Sequence, residues 1–339
     1  MSAPPFDVDQ HTLFVTLAGS HAHGTARLDS DVDLRGVCAA PLRSRLSLFH
    51  TFEQRERQLD EQAWTAPLWQ RARERLLAHP SAGQALDTKT ESVVFELAKL
   101  VRLCAEANPN ALEILFAAPE DWVHETDRWQ KLYARRSLFL TRKVQQTYLG
   151  YGLSQLKRIQ THRSWLLHPP AAKPTRPEFG LPEQGTFSAD DRARLSSLLE
   201  ANAQGSSALP PAVLATLDAE KRYLAALKHW QSYETWKAQR NPARAELERR
   251  HGYDTKHAAH LVRLMRMGLE VLKDQTLRVR RPDAEELRCI RDGALTYDDL
   301  LSLAASLEAE MKRAIADCPL PADVAHGEID ALFFELAGG

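Results

Sequence analysis

The first hundred residues alternate between short apolar runs and polar breaks, and the chain then changes to a longer, helical period. Residues Leu13-Phe14-Val15-Thr16-Leu17-Ala18 form an apolar run that ends at Gly19-Ser20. The polar stretch HAHGTARLDS separates it from Asp31-Val32-Asp33-Leu34-Arg35-Gly36-Val37. In this second run polar and apolar side chains alternate, the period of a half-buried strand. The pattern predicts a further strand around Arg45-Leu46-Ser47-Leu48-Phe49 and a short amphipathic helix from Leu68 to Leu77. Glu91 precedes an apolar stretch that runs into a helix ending at Asn108-Pro109, because proline disfavours helix at the residue before it. Glu96 is expected inside that helix, solvated. Ala111 to Phe116 reads as a second short apolar helix.

From about residue 120 the spacing is helical. Leu138 to Gln160 and Glu220 to Gln239 are long helical segments. Between them, His168 to Gly185 is too rich in Pro and Gly for regular helix or central strand. His257 to Lys273 is strongly amphipathic, with Leu261, Val262, Met265, Leu269 and Leu272 on one face. Ala284 to Arg291 and Tyr297 to Ala316 close the predicted helices. The division expected is a domain of strands and helices, 1–120, followed by an all-α domain, 121–339, with the Pro-rich loop near 168–185.

The chemistry concentrates around the first two strands. Side chains two apart on a strand share a face, so Asp31 and Asp33 point the same way. Mg²⁺ takes one or two protein carboxylates together with substrate phosphate oxygens. Gly19 lets backbone approach a phosphate, and the Ser20 hydroxyl can donate to it. Two-metal phosphoryl chemistry calls for a third carboxylate on a neighbouring strand. Glu91 is the first choice, and Asp87 the alternative.

Gly19-Ser20 followed by Asp31-Val32-Asp33 resembles the metal-binding motif of the DNA polymerase beta superfamily of nucleotidyltransferases. Further segments are similar to the "predicted nucleotidyltransferase" family that includes RNA-repair-associated polymerase-beta-like proteins and phage relatives. They are Asp29 to Asp33, Leu97-Ala98-Lys99, Asn108 to Glu113, Tyr151 to Ile159, Lys256 to Leu264 and Asp283 to Leu287. The resemblance implies an α+β fold, a small mixed-sheet catalytic domain followed by helices. It implies transfer of a nucleoside monophosphate from NTP to an acceptor hydroxyl, with Mg²⁺ (Mn²⁺ as the alternative) held by Asp31, Asp33 and Glu91. Gly19 and Ser20 would hold the β and γ phosphates. An RNA 3′ end is the first acceptor, a protein hydroxyl the second and a small molecule the third. A non-catalytic nucleotide- or RNA-binding module of the same fold is the alternative of a different class. Glu91 stands where the family leads one to expect Asp.

Composition adds limits. With 339 residues, 44% hydrophobic and 26% charged, the chain is an ordinary folded protein of about two domains. No apolar run reaches membrane-spanning length, and the N-terminus has no basic start or apolar core of a secretory signal. Four scattered cysteines without Cys-x-x-Cys point to a reducing cytoplasm and away from structural zinc. No P-loop or hydrolase elbow is present. Net charge is −1, yet residues 128–163 carry nine Lys or Arg and no acid, and 237–281 carry twelve against five. Such asymmetry favours a polyanionic partner. Lys256, His260 and Arg263, at helical spacing, are expected to share a face that lines the cleft opposite Asp31 and Asp33 and contacts triphosphate or the acceptor's phosphate backbone. His21 is a further candidate for phosphate, and Gly24 is expected at positive φ.

Overall fold

In the computed structural model, which describes residues 6–86, 89–184, 211–240 and 242–338, the two predicted strands pair at the centre of a five-stranded mixed sheet of order β3-β4-β2-β1-β5. Strand β1 (Thr12–Ala18) runs antiparallel to β2 (Val32–Cys38), and the one-turn helix α1 (Gly19–His23) begins where β1 ends. No strand forms at 45–49. Helix α2 (Leu42–Arg45) stands there, and Leu46, Leu48 and Phe49 are exposed. The third strand is β3 (Gln54–Gln58), which hydropathy could not mark because all five of its residues are polar. Its Arg55 and Arg57 turn inward, are neutralised by Asp9, and Arg57 lies over the Trp69 ring.

Glu91 lies on a strand, β4 (Thr90–Glu96), parallel to β2 and antiparallel to β3. Glu96 is not a solvated helix residue. It is buried and caps helix α4 (Leu97–Ala105), accepting from the Ala98 N–H. Burial raises its pKa, and the backbone N–H groups of Ala98 and Lys99 pull against that rise. The second edge is β5 (Trp122–Glu125), a short strand inside the region whose period is helical.

One face of the sheet, with Val15, Leu17, Val32, Leu34 and Val94, packs against Leu68, Trp69, Ala72 and Leu76 of α3 (Pro67–Ala78). Each such buried large side chain contributes about 1.5–3 kcal/mol. The other face presents Asp33, Arg35, Glu91, Val93 and Phe95, all half-buried. Helix α5 (Pro109–Leu115) follows α4, capped by Asn108 as the Pro109 position predicts. Helices α6 (Asp127–Ala134) and α7 (Lys143–Leu167) come next.

The chain divides into two compact units, residues 1–159 with 255–339, and residues 160–254. This differs from a linear cut at 120. The second unit contains the end of α7, the Pro-rich segment, α8 (Pro211–Ala238) and α9 (Pro242–His251). Trp165 is buried there among His229, Tyr233 and Trp236. The bidentate Arg176–Glu220 pair ties the Pro-rich segment to α8; Gly185, at the end of that segment, lies outside the described residues.

The remaining helices return to the first unit: α10 (Thr255–Asp274), α11 (Ala284–Arg291), α12 (Tyr297–Ala314) and α13 (His326–Ala337), the last lying beyond the predicted helices. Helix α10 is buried on more than its apolar stripe. A Cβ on Gly268 would meet Tyr148 Cβ at 2.8 Å, so α10 and α7 approach closely there. Tyr148 is fully buried, whereas the Tyr151 hydroxyl accepts from Asn108. Among the described residues no helix is long and apolar enough to cross a membrane.

Candidate active site

The turn from β1 into α1 is built against a carboxylate. Gly19 has φ +60°, and a Cβ placed on it would lie 2.7 Å from Asp33 Oδ2. Only glycine fits, for conformation and for space. The sheet register then sets Ala18, Asp33 and Glu91 side by side across β1, β2 and β4. Asp31 stands exposed one residue before β2. Ser20 is half-buried on the first turn of α1, and its carbonyl accepts from the Thr25 N–H at 2.9 Å. Gly24 ends α1 in the left-handed conformation at φ +74°, as expected.

Lys89, unmarked by any motif, pairs with Glu91. Its ammonium is held above the usual lysine range, first by the hydrogen bond and charge of Glu91, then by the charges of Asp31 and Asp33. A cation therefore already feels all three carboxylates. Oxygen donors of this kind, open to solvent on one side, fit a hard divalent ion such as Mg²⁺ or Mn²⁺. Asp87 lies outside the described residues. Among those described, the group of three His, Cys, Asp or Glu side chains whose ligand atoms all lie within 4.8 Å of one another is His162, Glu248 and Asp254 of the second unit. Glu248 there is already bound by Arg240 at 3.0 Å.

Behind α1 lies a buried polar cluster. His21 is not solvent-facing: it is buried and shares a hydrogen bond with Ser81 at 3.2 Å. His23 donates from Nε2 to Glu113 Oε2 at 3.0 Å, and Arg263 pairs with the other oxygen of Glu113. Burial lowers the pKa of His21 and His23. His260 falls to about 3, from burial first and from Arg263 second. Glu113 would be raised by burial, but Arg263 and His23 together hold it well below the carboxylate range.

Of the face expected from Lys256, His260 and Arg263, the last two line the cavity described next, while Lys256 is exposed and outside it. Arg263 is buried and paired with Glu113. Helical spacing aligned these residues, but both sides of α10 are packed, so its polar side meets α5 and α1 instead of water. Arg27 pairs with Asp292.

A cavity of about 380 Å³ opens beside the Gly19 turn. One wall is the sheet, with Ala18, Arg35, Val93 and Phe95, and Gln54 and Glu56 at the β3 edge. Another wall comes from Asn110, Glu113 and Ile114 of α5 and from His260 and Arg263 of α10. Arg35 reaches Asp33 at 3.8 Å and donates to its neighbour's carbonyl, that of Leu34.

Residues 6–167 match the family model RlaP, described as the RNA repair pathway DNA polymerase beta family. Over these residues the chain is similar to that family. No curated protein and no solved structure matches the chain. Gly19, Ser20, Asp31, Asp33 and Glu91 lie inside the matched residues, as do Arg35, Glu56, Lys89 and Glu113. The segments around Lys256 and Asp283 lie outside them. No motif gives Lys89 or Glu113 a role. Lys89 sits two residues from Glu91, a spacing that a search for charges flanking the third carboxylate would have caught. Glu113 sits in an apolar helix, where a carboxylate is itself a signal.

Proposed function

We propose that the protein moves a nucleoside monophosphate from NTP to a hydroxyl in a Mg²⁺-dependent reaction, and that the hydroxyl is an RNA 3′ end. The observation that supports this is the alignment of the Gly19 turn, Asp33 and Glu91 across three strands. Asp31, Asp33 and Glu91 would hold the divalent metal, which would neutralise phosphate charge and acidify the acceptor hydroxyl. Ser20 and the Gly19 backbone bind the β and γ phosphates. The acceptor oxygen attacks the α-phosphorus in line. The bond to the α–β bridging oxygen breaks as the new one forms, pyrophosphate leaves, and Glu91 takes the acceptor's proton. The chain's own work is positioning and charge compensation. RNA as acceptor rests on the family's description. The free cysteines, three of them buried, suit a reducing cytoplasm.

The test is incubation with labelled NTPs, Mg²⁺ and total RNA. Label in RNA is the expected result; label in protein, or pyrophosphate release alone, would move the acceptor to a protein or a small molecule. Asp31→Asn and Asp33→Asn should each cut transfer by about 10²–10³-fold with the fold intact. Glu91→Gln should slow turnover far more than it weakens NTP binding. Near-normal turnover in both Asp variants would overturn the reading.

A further inference from the structure

The cavity beside the Gly19 turn has a chemical bias that the phosphate-binding residues do not explain. Across the sheet, Arg35 on β2, Val93 on β4 and Glu56 on β3 occupy one register line. All three line the cavity, so the guanidinium and the carboxylate flank an apolar centre. Two strand spacings set their backbones roughly 10 Å apart. Phe95 extends the apolar surface one step further along β4, with Gln54 beside it.

The other charges in this cavity cancel each other. Arg263 and Glu113 form a pair, and His23 and His260 are held neutral by burial. Glu56 is exposed and, among the described residues, has no cation within ion-pair distance; the Gln54 amide donates to one of its oxygens. Arg35 spends one guanidinium nitrogen on the Leu34 carbonyl at 3.0 Å and approaches Asp33 at 3.8 Å. A walled space with one carboxylate lacking a cation and one guanidinium only loosely paired suits a neutral, flat ligand with a donor edge and an acceptor edge. It does not suit a second triphosphate.

We propose that this cavity seats the base of the incoming nucleotide and that Arg35 and Glu56 select guanine. Guanine offers two adjacent donors, N1–H and N2–H, and two adjacent acceptors, O6 and N7. Glu56 accepts from the first edge, and Arg35 donates in bidentate fashion to the second. The ring lies on Val93 and Phe95. Asp33 and Arg35 are two residues apart on β2, about 7 Å along the strand, which leaves room for the sugar between phosphate and base. Adenine, cytosine and uracil each lack the paired donors that would satisfy the carboxylate, and so leave it partly unpaired. This inference rests on the nucleotidyltransferase reading and goes further by naming the nucleotide.

Isothermal titration with non-hydrolysable α,β-methylene analogues of GTP, ATP, CTP and UTP in Mg²⁺ tests it on the full chain. The guanine analogue should bind about tenfold or more tighter than the other three. Glu56→Gln keeps the shape on an exposed strand position and should lower the guanine-to-adenine affinity ratio about tenfold. The hypoxanthine analogue, which lacks the 2-amino group, should feel Glu56→Gln less than the guanine analogue does. Arg35→Lys, which removes the bidentate fork, should also lower the ratio. Equal binding of the four analogues, a preference for another base, or a ratio unchanged in Glu56→Gln overturns the guanine assignment alone. Failure of every analogue to bind overturns it together with the nucleotidyltransferase reading.

Discussion

At the scale of single residues, Gly19 is the tightest constraint in the site. It needs positive φ, and it abuts the Asp33 carboxylate. Gly19→Ala should cost about 1–2 kcal/mol from backbone strain alone, and it also pushes Asp33 aside. The expected outcome is a modest loss in urea stability with a much larger loss of Mn²⁺ affinity, measured by electron paramagnetic resonance. Wild-type Mn²⁺ affinity in that variant would show that Asp33 does not hold the metal. Asp31 and Glu91 stand in more open surroundings, so their roles lean on register rather than on close packing.

At the scale of elements, α1 is held from behind by helices distant in sequence. His23 binds Glu113 of α5, Glu113 binds Arg263 of α10, and the Arg281 N–H donates to the His23 carbonyl. Glu113→Ala strands a buried guanidinium and should cost about 3–5 kcal/mol in urea unfolding. Glu113→Leu with Arg263→Met should recover much of that, because both charges are then gone. If the single variant is as stable as wild type, the pair does not clamp α1.

Acid should act through the same cluster. His21, His23 and His260 stay neutral when folded, while an unfolded histidine binds a proton near pH 6.5. Their contribution is complete above about pH 6.5 and is lost as pH falls toward the folded value, about 3 for His260. Glu113, depressed by its partners, adds a loss in the same direction once pH falls below the range of an unfolded glutamate. Burial raises Glu96 and Asp121, which push the other way. Thermal melts should therefore show Tm falling between pH 6.5 and 5, with a shallower slope in His260→Gln. An unchanged slope in that variant would remove His260 from the account.

At the scale of the whole molecule, the family match ends at residue 167, but the sheet-bearing unit does not. Residues 255–339 belong to that unit, and Tyr148 is buried where α10 crosses α7 at Gly268. A fragment comprising 1–167 should lack a cooperative unfolding transition and bind a hydrophobic dye, whereas the full chain should unfold cooperatively. A well-folded fragment would mean that the returning helices are dispensable. The basic segments also read differently at this scale. Lys131 pairs with Glu335, Lys143 with Glu106 and Asp323, Arg266 with Asp283 and Glu286, and Arg280 with Asp121. Much of the local cationic excess is thus matched by acids from elsewhere in the chain. It builds the scaffold and by itself carries no argument for RNA.

The sequence by itself determined the parts whose signal is local. Gly19-Ser20 and Asp31-x-Asp33 announced the turn and the strand because both depend on residues a few positions apart. Pro109 and the long helical periods placed α5, α7 and α10 for the same reason. Tertiary structure decided what depends on partners. The polar strand β3 exists because Asp9 and Trp69 receive its arginines. Glu96 became a buried cap because a strand ends where a helix begins. Arg263, expected to meet a ligand's phosphate, is buried and paired because Glu113, 150 residues away, meets it. A side chain's pattern can mark which face it shares, but whether that face meets water or another element is set by the rest of the chain, since burial and pairing energies arise only between segments that folding brings together.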